Sequence, residues 1–168
     1  PLDKATIQVR ARTVDMLGRQ QIAGIPTAIH ELFKNAYDAF AQRVRVDVIM
    51  GQKALILRDD GYGMTEEEFR GRWLTIGTES RLAVRSATAP WLGEYARQPR
   101  RIMGEKGIGR LAIAAIGPAV LVMTRAKRPP EEGGLHDLVV CLVHWGFFEQ
   151  PGIDVSQVRV PILRLPGG

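Results

Sequence analysis

Residues 26–64 read PTAIHELFKNAYDAFAQRVRVDVIMGQKALILRDDGYGM. Pro26 stands where a helix opens, because the first turn leaves its amides unpaired and proline has none to lose. Ile29, Leu32, Phe33, Ala36 and Phe40 then recur at helical spacing, which predicts a helix over residues 26–43 with one apolar stripe. In residues 43–50 the period changes. Val44, Val46, Val48 and Met50 alternate on one face, the pattern of a half-buried strand. Gly51, Gln52 and Lys53 supply a turn, and ALILR follows as an antiparallel partner that runs out into DDGYGM, residues 59–64.

Outward from this stretch the same alternation of helices and strand pairs continues. Residues 12–21 read as a helix closed by Gly24. Thr65 and Glu68 form a capping box for TEEEFRGRWL, the hydroxyl and carboxylate each serving the other's backbone amide. Residues 77–103 hold Gly, Pro, Ser and Thr without a sustained period and read as a long loop, which inside a compact domain is usually functional or disordered. Gly107 and Gly109 introduce a short apolar helix, RLAIAAIG. The strands AVLVMTRA and LHDLVVCLVHW follow, joined by the polar KRPPEEGG, and VRVPILRL is an edge strand weakened by Pro161. No βαβ unit repeats. The expected fold is α+β, a two-layer α/β sandwich with helices covering one face of a mostly antiparallel sheet.

A chain of 168 residues, 45% hydrophobic and 24% charged, fits one ordinary globular domain with a sizeable core. No apolar run approaches the roughly 20 residues that span a bilayer, so no membrane partner is expected. The opening PLDKATIQVR lacks the apolar core of a signal peptide. The single cysteine, Cys141, lies in LVVCLV and reads as a small buried hydrophobe. His30, His136 and His144 are scattered, so no zinc site is expected, and a cytoplasmic setting is the natural one. The net charge of +5 attracts polyanions, but no pattern of interleaved aromatic and basic residues supports a nucleic-acid partner.

Three constellations carry chemistry. On the helix, Glu31, Asn35 and Asp38 are four and three residues apart and share a face. They read either as a solvated stripe or as a base beside a magnesium ligand, since magnesium takes hard oxygen donors and few of them from protein. In DDGYGM, an acid at a strand end precedes Gly61 and Gly63, which let a ligand approach backbone. A plain hairpin turn would look the same. In GEKGIGR, residues 104–110, glycines open a helix and present unpaired amides to an anion. An ordinary helix cap is the alternative.

Together, and in this order, ELFKNAYDA, DDGYGM and GEKGIGRLA resemble the motifs of the GHKL (Bergerat-fold) ATPases, the superfamily of gyrase, heat-shock chaperones, histidine kinases and MutL. The layout is most similar to MutL-type and MORC-type members. The resemblance covers most of the chain, including LTIGTESR, which is similar to a turn at the root of the ATP lid in MutL-like proteins. It implies ATP and magnesium as ligands. Glu31 would be the general base toward the attacking water, and Asn35 would hold magnesium together with the ATP phosphates. Asp38 and Ala39 would line the nucleotide pocket, Asp59 would accept the adenine amino group, and Gly61, Gly63 and Met64 would shape the base pocket. Residues 77–103 would form the lid, with Thr78 at its root. Gly104, Lys106, Gly107, Ile108, Gly109 and Arg110 would cradle the phosphates. Asp60 departs from the Asn frequent at its position in relatives. The late Gly-Thr that relatives place beside adenine has no equivalent before Gly168, so the domain is expected to stop short of it.

What the resemblance implies for function is magnesium-dependent ATP hydrolysis that drives lid closure, with a nucleotide-dependent homodimer in the full-length protein. The alternatives are a histidine-kinase-type phosphotransfer domain and a nucleotide-sensing module without turnover. Histidine kinases usually carry Asn where Glu31 stands and a basic or polar residue where Asp38 stands, so ELFKNAYDA disfavours the first of these.

Overall fold

The computed structural model describes residues 9–20, 24–76, 103, 109–128 and 133–167. Two helices come first, α1 over Ala11–Gln20 and α2 over Ile25–Asp38. Strands β1 (Val44–Ile49) and β2 (Ala54–Asp59) pair antiparallel, Val46 opposite Leu57, after a reversal through a 3-10 turn at Met50–Gln52 and a left-handed Lys53. A single helical turn, α3 (Glu66–Glu68), runs into a π-helical turn at Phe69–Trp73, and a 3-10 helix spans Gly109–Ala115. Strands β3 (Ala119–Lys127), β4 (Leu135–His144) and β5 (Ile162–Leu165) form a second antiparallel sheet in that order, with β5 at its edge. The fold is α+β, as the alternation of periods implies.

The two ladders are tied by the chain just after β2. The Lys127 amide donates to the Tyr62 carbonyl at 3.0 Å, and the Met64 amide to Thr124 Oγ1 at 3.0 Å. The turn at residues 59–64 is thereby pinned to the far end of β3.

Alternation along β4 sends Val139, Cys141 and Val143 inward, where Ala11 and Val14 of α1, Leu111 and Ala114 of the 3-10 helix, and Phe69 meet them in the core. Leu121, Leu142 and Leu163 face the other way and are exposed. Cys141 is fully buried, and burial pushes its thiol above its ordinary value, so it behaves as the inert hydrophobe its surroundings suggest. The capping box is present: Thr65 Oγ1 accepts from the Glu68 amide at 3.2 Å and Glu68 Oε2 from the Thr65 amide at 2.9 Å.

Two expectations are corrected. The helix beginning near Pro26 stops at Asp38 instead of running to Arg43, because Phe40 takes a left-handed φ of 61°. The Ala41 amide then reaches the Ala36 carbonyl and the Phe40 amide the Tyr37 carbonyl, the paired bonds of a Schellman stop built without glycine. The alternation in β1 predicts one half-buried face, yet Val48 is 62% and Met50 81% exposed. Helix α2 packs chiefly along the 3-10 helix, with Ala28 and Ala36 buried and Phe33 exposed.

Candidate functional site

Helix α2 is the spine of the site. At its middle Glu31 lies against the start of the 3-10 helix: a Cβ built on Gly109 would stand 2.7 Å from Glu31 Oε2. The other carboxylate oxygen is held on the helix itself, where Lys34 Nζ donates to Glu31 Oε1 at 2.7 Å. At its end α2 meets the turn after β2. The Tyr62 amide donates to the Ala39 carbonyl at 3.0 Å, and a Cβ on Gly61 would fall 2.7 Å from that same oxygen. One helix face thus touches a glycine of the second constellation and a glycine of the third. Asn35, one turn from Glu31 and one from Ala39, sits between these contacts with its side chain exposed.

Asp59 ends β2, two residues before Gly61. Its Oδ1 accepts the Gly61 amide at 2.9 Å, which sets the carboxylate plane and leaves Oδ2 for another donor. Asp60, beside it, turns the other way: its Oδ1 accepts the amides of Gln42 and Arg43 at 2.7 and 2.9 Å, closing the α2–β1 connection. The Arg43 amide first, then that of Gln42, holds the Asp60 carboxyl below its ordinary range. The departure from Asn at this position therefore concerns loop closure.

Gly63 takes a φ of 64°, and a Cβ there would run into the Arg125 carbonyl, so only glycine lets the turn lie this close to β3. Arg128, 4% exposed at its side chain, locks the same turn from below. It donates to Glu68 Oε2 at 2.5 Å and to the Tyr62 carbonyl at 2.8 Å, and its guanidinium lies 5.4 Å from the Tyr62 ring centre. Burial raises the Tyr62 phenol above its ordinary value.

Asp38 Oδ1 accepts the Met103 amide at 2.8 Å, which fastens the end of the 77–103 segment to the last turn of α2. Arg110 donates to the carbonyls of Arg72 and Thr75, so its guanidinium is directed at the end of the π-helical turn. Thr78, Gly104, Lys106, Gly107 and Ile108 lie outside the described residues, as does the rest of the expected lid apart from Met103.

The family model of the histidine kinase-, DNA gyrase B-, and HSP90-like ATPases matches residues 24–132, more than half of the chain. The chain belongs to this family. A comparison with curated proteins finds no match. As a GHKL-type domain it binds ATP, and the match spans all three constellations described above. Among the described residues no helix is long and apolar enough to cross a membrane.

Two contacts around these residues of the GHKL domain escape a reading by motif. Lys34 stands inside ELFKNAYDA, but only the helix geometry shows its ammonium on the Glu31 carboxylate; the three-residue spacing was the available signal. Arg128 falls in a segment that reads as a polar link, and its partner Glu68 is 60 positions away. The exposed Asn35 offers one hard oxygen of the kind magnesium takes from protein.

Proposed function

We propose that this domain hydrolyses ATP, with Glu31 as general base. The observation that carries the reading is the position of the Glu31 carboxylate, with Oε2 against Gly109 at the start of the glycine-opened helix. Backbone amides at such a start attract phosphate. A carboxylate beside them can take a proton from water attacking the γ-phosphorus while the bond to the β–γ bridging oxygen breaks and ADP leaves.

Asp59, aligned by the Gly61 amide, accepts the adenine amino group through its remaining oxygen and excludes the guanine carbonyl. Ala39, Gly61, Gly63 and Met64 form the base pocket, and Asp38 anchors the lid at Met103. Asn35 would hold magnesium together with the phosphates, and the ion supplies neutralisation of their charge. Gly104, Lys106, Gly107, Ile108 and Gly109 contribute to the cradle, and Arg110 adds its backbone amide, its guanidinium being turned to the carbonyls of Arg72 and Thr75. Closure of residues 77–103, rooted at Thr78, couples binding to a conformational cycle with dimerisation in the full-length protein.

The test measures binding and products together. Calorimetry should show ATP and ADP binding with magnesium and GTP far weaker. Asp59→Ala should lose roughly 1.5–3 kcal/mol of ATP affinity, the cost of a charged hydrogen bond. Inorganic phosphate should appear in step with ADP. Equal affinity for GTP and ATP would overturn the assignment of Asp59. Phosphate transferred to a protein histidine would overturn hydrolysis.

A further inference from the structure

We propose that Lys34 is a positioning residue for ATP hydrolysis: its ammonium holds one oxygen of Glu31 so that the other is presented beside Gly109. This rests on the reading of Glu31 as the base.

The two carboxylate oxygens have different surroundings. Oε1 receives Lys34 Nζ at 2.7 Å, and Oε2 lies where a Cβ on Gly109 would come within 2.7 Å. The pair is sheltered, with side chains 18% exposed for Lys34 and 25% for Glu31. Exposed i,i+3 pairs contribute little because both chains move and water screens them. Here α2 packs along the 3-10 helix, which narrows the space each side chain can sweep.

A glutamate has three side-chain torsions, and a base must present its lone pair within about 0.5 Å of its working position. Unheld, the carboxylate can turn toward solvent. A lysine suits this task because its point charge can engage one oxygen, whereas the planar fork of arginine tends to take both. The ion pair therefore selects a rotamer of Glu31 and leaves Oε2 available to water.

The experiment uses the full-length protein and compares wild type with Lys34→Met, Lys34→Cys, Glu31→Gln and the double variant Lys34→Met/Glu31→Gln. Affinity for ADP is read by calorimetry, phosphate release by steady-state kinetics, and melting temperature without nucleotide. Lys34→Met should bind ADP within about twofold of wild type and lose roughly tenfold to a hundredfold in kcat, as a misplaced catalytic group does. Its shift in melting temperature should be non-additive with that of Glu31→Gln. Alkylating Lys34→Cys with bromoethylamine rebuilds an ammonium at nearly the same reach and should restore most of the lost kcat; Cys141, fully buried, is protected from the reagent. Additive melting shifts, a Lys34→Met enzyme within twofold of wild-type kcat, or no rescue on alkylation would each overturn the role of Lys34. If those results come while Glu31→Gln abolishes turnover, only the inference about Lys34 fails. Turnover surviving in Glu31→Gln, or absent from wild type, would remove the base assignment and this inference with it.

Discussion

Gly109 and Glu31 approach so closely that a Cβ on the glycine would stand 2.7 Å from Glu31 Oε2, and the carboxylate would have to move aside to admit it. Two constellations 78 positions apart at these residues are thus joined by a single close approach between a helix middle and a helix start. The glycine at this position serves the acid as well as any phosphate.

Gly109→Ala should therefore push the carboxylate aside or shift the start of the 3-10 helix. Turnover should fall by roughly 10²-fold, the scale of a displacement near 1 Å at a reacting group. Gly117→Ala is the control, because a Cβ there meets its nearest atom at an ordinary 3.9 Å. Phosphate release by both variants checks this, and a Gly109→Ala enzyme as fast as the control would contradict it.

The Arg128–Glu68 pair should matter to stability more than any exposed pair. Arg128→Met leaves the sheltered Glu68 carboxylate with only the more exposed Arg72, 3.7 Å from its other oxygen, so the loss should approach but not exceed about 3 kcal/mol, the scale for a largely buried pair broken from one side. Replacing Glu68 by Gln as well should recover part of that loss, because the sheltered charge that Arg128 had balanced is removed. Urea denaturation of the single and double variants measures it. An unchanged midpoint for Arg128→Met would show that the pair does not hold the turn.

Acid stability should depend on Asp60 and Asp47. The Arg43 and Gln42 amides lower Asp60 from its ordinary 3.8. The Arg45 guanidinium, then that of Arg58, lowers Asp47 against an opposing burial effect. A carboxyl depressed in the folded state contributes stability that is complete above its unfolded value and is lost as pH falls through the folded one. Asp60→Asn keeps an oxygen acceptor for the two amides but removes the titration. Its melting temperature should therefore drop less than that of wild type between about pH 5 and about pH 3. Equal drops would contradict the assignment.

The elements most legible in the sequence are those set by local pattern. The reversal between β1 and β2, the Thr65–Glu68 box and the pairing of β3 with β4 follow from alternation and turn chemistry. The end of α2 was not legible, since the stop depends on Phe40, an aromatic residue in a conformation that usually calls for glycine. The exposure of Val48 and Met50 was hidden for another reason. Alternation shows which residues share a face, not what covers it, and α2 covers the 3-10 helix instead. At the site, motif order brought Glu31, Asp59 and Gly109 to attention. The partners that hold the acids in place, Lys34 on Glu31 and the Gly61 amide on Asp59, depend on side-chain geometry.

The most direct measurement of the central claim is paired on Glu31→Ala in the full-length protein: ATP affinity and phosphate release under identical magnesium. A general base touches the attacking water and not the resting nucleotide, so affinity should remain near that of wild type while phosphate release falls by about 10²–10⁴-fold. Asn35→Ala should behave differently, losing magnesium-dependent affinity, because the proposed role of its oxygen is to hold the metal. Phosphate release that survives Glu31→Ala at the wild-type rate would contradict the account.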